Sequence, residues 1–282
     1  MTTKALVLAG GGLFGIGWET GMIRGLEASG LSLSDSNLVI GTSAGAVVGT
    51  NLRQDRSMSA SYERFTHVDD ESTEIGVDFD PVEYMKQLSE LRSTSKNRKQ
   101  FLQSVGKWAV SAKTVSEDTR LHVIARRLSG TTWPQQLLAI TCVDAATGEL
   151  EVFTVGSKIP LVQAVAASCA IPGIWPVTTI NDRKYFDGGL RSTANADLAA
   201  GFERILILLP SSTEESRSDI DAEIRELETL GCDVMLLVPN RASLTTAKGN
   251  PLDPACLSPS AKAGYQQGTN MSEMVNPFWL ED

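Results

Sequence analysis

Short apolar runs alternate along this chain with longer stretches in which apolar positions recur at helical spacing, the pattern of strands interleaved with helices. Ala5–Ala9 reads as a buried strand running into glycines, followed by a helix from about Leu13 to Ala28 with Gly30 as its stop signal. Leu38–Ile40 predicts a second buried strand, leading into the helix-like Ala46–Leu52. Further strands are expected at Leu137–Val143, at its hairpin partner Leu150–Val155, at Tyr185–Phe186, and at Arg204–Leu209 and Val234–Val238, with a helix over Pro160–Ser168. This order predicts an α/β domain, a three-layer α/β/α arrangement around a mostly parallel central sheet. Gly17, Gly21 and Gly25, four apart, predict that the first helix approaches the sheet closely. From Asn240 on, prolines at 251, 254, 259 and 277 predict an irregular C-terminal segment (240–282) with one short helix at Ala261–Gln267.

Residues 55–130 separate the second helix from the third strand and read as a helical cap inserted into a single domain spanning 1–282. Its acidic front, Asp69 to Glu74, reads as a solvated loop. Charge is unevenly spread. Of 25 basic and 34 acidic residues, ten basic and only three acidic fall between Tyr84 and Leu128, a local +7 in a chain of net charge −9. Phe101, Leu102, Val105, Trp108 and Ala109 form an apolar stripe there, with Arg98, Lys99 and Lys107 on the polar side. Such a helix either packs its stripe on the core or lies on an anionic lipid surface, so peripheral membrane contact is expected, if anywhere, through 84–128. The acidic balance of the whole argues against nucleic acid. No run of about 18 apolar residues predicts a membrane span, and a cytoplasmic location is the default. Cysteines 142, 169, 232 and 256 have neither Cys-x-x-Cys spacing nor a nearby histidine, so reduced structural thiols, no metal and no organic cofactor are expected.

The candidate chemistry begins at Gly41-Thr42-Ser43-Ala44-Gly45, a serine between two glycines at a strand-to-helix turn. Such an elbow needs Gly41 and Gly45 for its tightness and presents the Ser43 hydroxyl above the sheet. A hydroxyl needs a base. The only histidines, His67 and His122, precede the position that a Ser-Asp-His chain order requires. Asp187-Gly188-Gly189, after Tyr185-Phe186, presents a carboxylate at a glycine-permitted turn, or is simply an Asp-Gly turn. Gly10-Gly11-Gly12 before a helix directs backbone N–H groups at an anion, either a phosphate or the oxyanion of an acyl-transfer intermediate.

Taken in order, these three elements resemble the patatin-like phospholipases: a Gly-Gly-Gly-x-x-Gly loop, a Gly-x-Ser-x-Gly elbow and a distant Asp-Gly-Gly. Ala167-Ser168-Cys169-Ala170-Ile171-Pro172-Gly173 and Val143-Asp144-Ala145-Ala146-Thr147-Gly148-Glu149 resemble further stretches of that family, and the likeness runs from about Lys4 to Ser211. The resemblance implies a serine acyl hydrolase acting on lipid acyl esters, with Ser43 as nucleophile, Asp187 as base, and Gly10, Gly11 and Gly12 as the oxyanion loop. One departure is Phe14, which stands where the family commonly has Arg or Lys. Its lack of charge predicts a preference for neutral esters over phospholipids.

Other classes compete. Gly10-x-Gly12-x-x-Gly15 fits a dinucleotide fingerprint, but the second strand ends in Gly-Thr-Ser rather than in an acid. An acyltransferase on a related fold would need a Ser-His pair. A catalytically silent lipid-binding or regulatory protein would retain the same residues.

Overall fold

The computed structural model describes residues 2–67, 74–77, 79–211 and 214–280. Strands β1 (Lys4–Leu8), β2 (Leu38–Gly41), β3 (Leu138–Asp144), β4 (Leu150–Phe153), β5 (Thr178–Ile180), β6 (Arg183–Asp187), β7 (Arg204–Leu208) and β8 (Asp233–Leu237) form one sheet. It is ordered β5-β6-β3-β2-β1-β7-β8, with β4 also on β3. β3, β2, β1, β7 and β8 run parallel, and the β4, β5 and β6 pairings are antiparallel. This is the mixed α/β fold with a mostly parallel sheet that the pattern predicts.

Strand alternation assigns the two faces. Leu6, Leu8 and Val39 point to one face, under α1 (Gly12–Ala28) and α2 (Ala44–Asp55); Ala5, Val7 and Ile40 point to the other, under α8 (Glu214–Thr229), which buries Ile220 and Leu227. α3 (Ser59–Thr66), α4 (Pro81–Ser93), α5 (Arg98–Ser111) and α6 (Glu117–Arg127) come between α2 and β3; α7 (Leu161–Ser168) and α9 (Arg241–Thr245) complete the shorter helices.

Three expectations are corrected. The segment from Asn240 is not irregular: α10 covers Leu257–Leu280 and accommodates Pro277 near its end. Tertiary packing overrides poor propensity here. Gly17, Gly21 and Gly25 face α10 rather than the sheet. A Cβ at Gly21 would lie 2.0 Å from the Ala261 carbonyl oxygen, and one at Gly264 of α10 would lie 2.3 Å from that of Trp18. The glycines of both helices thus let two backbones touch, and Trp18 Nε1 donates to Gln267 Oε1 across the seam at 3.0 Å. Finally, positions 69–73 of the acidic front (Asp69, Asp70 and Glu71 among them) lie outside the described residues, and Glu74 is no solvated charge. It accepts two hydrogen bonds from Arg127, at 2.7 and 2.5 Å.

The apolar stripe of α5 is also accounted for. Phe101, Leu102, Val105 and Ala109 pack on Val143, Ala145 and Phe186, beside the end of β6. That face is therefore turned to the protein core, and Lys99 pairs with Glu149.

Candidate active site

The sheet brings the sequence motifs together through one strand. β4 takes one edge of β3 from Ile140 to Val143. The opposite edge is shared: Ile140 pairs with Gly41 of β2, and two residues on, Cys142 pairs with Asp187 of β6. β2 runs parallel to β3 and β6 antiparallel, so their C-terminal ends meet at neighbouring positions. Ser43 leaves one end and Asp187 closes the other.

Local chemistry fixes each turn. Ser43 sits at φ 53°, ψ −111°, a strained setting that aims the side chain off the sheet. A Cβ on Gly45 would lie 2.0 Å from the Leu8 carbonyl oxygen, and one on Gly41 2.7 Å from Ala46 Cα, so the elbow closes only with glycine at both places. Beneath it, Thr42 Oγ1 and Thr141 Oγ1 are 2.8 Å apart, and Asn195 Nδ2 lies within hydrogen-bond distance of both hydroxyls and of the Gly188 and Ser192 carbonyls.

The Ala167–Gly173 stretch holds both Ser43 and Asp187, a role that its composition alone did not reveal. Ser43 N–H donates to Ser168 Oγ at 2.8 Å, the Cys169 thiol donates to the Ser43 carbonyl at 3.3 Å, and Asp187 N–H donates to the Ala170 carbonyl at 3.1 Å. Burial pushes the Cys169 thiol up to about 12, so it stays a neutral donor.

Ser43 and Asp187 are both buried, and a cavity of about 220 Å³ is lined by Gly10, Gly11, Gly12, Ser43, Tyr84 and Asp187 among others. Burial raises the Asp187 carboxyl to about 7, opposed by hydrogen bonds from Gly189 N–H and the Ser43 side chain and by the charge of Arg120. Gly189 N–H donates to Asp187 Oδ1 at 2.8 Å. Of the three loop glycines, Gly10 already donates its N–H to the Thr193 carbonyl at 3.0 Å, which removes it as an oxyanion donor. Gly11 and Gly12 N–H have no partner among the described residues. Neither histidine lines this cavity: His67 is at the end of α3, and His122 is exposed beside Asp118.

Two cap contributions escaped the sequence. Tyr84 of α4 presents a buried hydroxyl without a partner among the described residues, its ionisation suppressed by burial and then by Asp187. Arg120 of α6 lines a narrow niche of about 20 Å³ that also touches Gly12, Ser43 and Ala44. Its guanidinium lies 3.8 Å over the Trp175 ring, yet Nε and Nη1 are buried with no hydrogen-bond partner among the described residues. α6 is fixed at its start, because Glu117 accepts from Thr179 N–H and Oγ1 at 2.6 and 3.0 Å. A larger cavity, about 770 Å³, opens under α4 and α5 and is lined by Tyr84, Leu88, Arg92, Phe101, Leu190 and others. No helix among the described residues is long and apolar enough to cross a membrane, and no group of three potential metal ligands occurs among them.

No curated protein matches this sequence. Among solved structures the chain is similar to VipD from Legionella pneumophila, at 15% identity over 97% of this chain and 67% of that one, with a TM-score of 0.43. It is similar also to the type III effector ExoU, at 20% identity over 95% of this chain and 54% of that one, TM-score 0.40. Full-length ExoU of Pseudomonas aeruginosa in complex with SpcU gives 17% identity over 93% and 53%, TM-score 0.40. The chain thus spans about half of ExoU and two thirds of VipD. A family model described as patatin-like phospholipase matches residues 6–200, a span that contains the glycine loop, the elbow and Asp187. On that match the chain belongs to the patatin-like phospholipase family.

Proposed function

We propose that this chain is a serine acyl hydrolase that cleaves lipid acyl esters through a Ser43–Asp187 dyad. The observation that carries the reading is the meeting of Ser43 and Asp187 on neighbouring positions of β3, in one cavity with the unengaged Gly11 and Gly12 amides. A carboxyl near 7 is a far better base at neutral pH than an ordinary aspartate near 3.9.

Asp187 takes the Ser43 proton as Oγ attacks the ester carbonyl, and the carbonyl oxygen becomes an oxyanion facing the Gly11 and Gly12 N–H groups at the head of α1. Collapse breaks the ester C–O bond, and the departing alcohol takes the proton from Asp187. Water then gives its proton to Asp187 and attacks the acyl-enzyme, releasing the fatty acid and returning the proton to Ser43. The cavity under α4 and α5 offers room for the acyl chain.

A serine-directed fluorophosphonate tests the assignment. It is expected to label Ser43, labelling is lost in Ser43→Ala, and hydrolysis of a panel of nitrophenyl esters falls by roughly 10⁴-fold or more in that variant. Unchanged ester hydrolysis in a folded Ser43→Ala protein would overturn the reading.

A further inference from the structure

Building on that hydrolase reading, we infer that Arg120, with the backbone at the heads of α1 and α2, forms a subsite beside Ser43 for an anionic oxygen of the substrate, a phosphate or carboxylate close to the scissile ester.

The two arginines one face of α6 turns inward differ in a telling way. Arg127 is satisfied by the bidentate Glu74 contact, which holds its guanidinium charged despite burial. Arg120 is 4% exposed, and its Nε and Nη1 have no hydrogen-bond partner among the described residues. A buried guanidinium with unpaired N–H groups is costly in a folded protein. Burial, and after it the charge of Arg127, brings it down to about 9, so it still carries its charge at neutral pH. Stacking on Trp175 fixes the plane of the fork but satisfies none of its donors.

The niche tells where the missing partner belongs. It shares Gly12, Ser43, Ile171 and Leu252 with the reaction cavity and no lining residue with the cavity under α4 and α5. At about 20 Å³ it admits one oxygen-sized group, not an acyl chain. The heads of α1 and α2 meet there at Gly12 and Ala44, adding their positive dipole ends to Arg120. Phe14 meanwhile is 4% exposed in the apolar core, so the uncharged position in the glycine loop does not leave the site without a cation. The cation comes from the cap. The preference for neutral esters that Phe14 alone predicts is thereby reversed: an ester carrying a nearby phosphate or carboxylate is the better substrate.

Calorimetry on Ser43→Ala protein tests this without turnover. Dodecyl phosphate is expected to bind at least tenfold more tightly than dodecanol, and Arg120→Gln in the same background to abolish the difference. Arg120→Met, which keeps a side chain against Trp175 but no charge, serves if the Gln variant does not fold. In the active enzyme, the kcat/KM ratio of a phosphate-bearing ester to a neutral ester with the same acyl chain should fall at least tenfold in Arg120→Gln and recover in part in Arg120→Lys. Equal binding of the phosphate and the alcohol, or an equal loss on both esters, overturns the subsite. Inorganic phosphate binding as tightly as dodecyl phosphate also overturns it, because the niche would then serve the free ion. Loss of Ser43 labelling by a phosphonate would instead defeat the hydrolase reading, a result the binding arm does not depend on.

Discussion

The two walls of the reaction cavity are built on opposite rules. On the sheet wall, apart from the Gly11 and Gly12 amides, the polar groups are satisfied within the protein: Ser43 N–H by Ser168, Asp187 N–H by Ala170, and the Thr42 and Thr141 hydroxyls by each other and by Asn195. On the cap wall, the Tyr84 hydroxyl and two guanidinium nitrogens of Arg120 are buried with nothing to bond among the described residues. A satisfied network holds its members in one geometry, whereas an unsatisfied buried donor is stabilised most by whatever ligand pairs with it. On the proposed function, the sheet wall carries the reacting groups and the cap wall carries recognition.

The strongest challenge to that division is Asp187→Asn, the one sheet-wall group whose own environment opposes its working state. Activity should fall by roughly 10⁴-fold, as when one member of a cooperating unit is removed. Stability should move the other way. Burial raises this carboxyl, so the folded protein favours the protonated form, and stability is lost as pH rises from the unfolded value near 3.9 through about 7. At pH 8 the Asn variant should be more stable by roughly 2–4 kcal/mol, and near pH 3 the two should be alike. Denaturant midpoints at both pH values check the sign, and a less stable variant at pH 8 would place Asp187 in the structural network instead.

Asn195→Ala attacks the sheet wall from beneath. Asn195 Nδ2 ties the elbow to the Asp187 turn, and the residue itself sits at φ 52°, where asparagine is tolerated better than alanine. Losing the Asn195 bonds, the one to the Ser192 carbonyl above all, and placing alanine at that φ should cost roughly 2–3 kcal/mol, or about 5–10 °C in Tm. A variant within 2 °C of the parent would show that the wall does not depend on this node.

How much of this was legible in the sequence divides along the same line. The sheet wall was readable because backbone geometry dictates residue type there: nothing but glycine fits where a Cβ at Gly45 would sit 2.0 Å from a carbonyl oxygen. The cap wall was not. Arg120 resembles any basic residue of a charged helix, and its significance arises only when folding sets it on Trp175 with two of its nitrogens buried and unbonded among the described residues. α10 was hidden because its glycines and prolines read as breakers, while the purpose of the glycines, close contact with α1, lies more than two hundred residues away. α8 did carry a signal, Ile220, Ile224 and Leu227 at helical spacing, within a strongly acidic stretch.

The charge that links the two walls gives a smaller and sharper effect. Arg120 lowers the Asp187 carboxyl, so the rise of kcat/KM with pH on a neutral ester should have its midpoint near 7 in the parent and move upward in Arg120→Gln. The direction is decisive. A downward shift would mean that Arg120 does not act on the base, even if it binds substrate.

Tyr84→Phe should have the smallest effect and the clearest sign. The ring packs between Phe79 and Trp108, with centroids 5.5 and 5.8 Å away, and phenylalanine keeps both contacts. What it removes is a buried hydroxyl with no partner, whose burial costs stability and returns nothing until a substrate arrives. The free protein should thus gain up to about 1 kcal/mol, a rise of roughly 2–4 °C in Tm. Catalysis should fall by several-fold on lipid esters, whose polar groups reach the cap, and less on a small nitrophenyl ester that fills only the Ser43 end of the cavity. Opposite movement of Tm and kcat/KM is what separates a recognition group from a structural one. A variant that loses both would return Tyr84 to the satisfied wall and dissolve the contrast between the two sides.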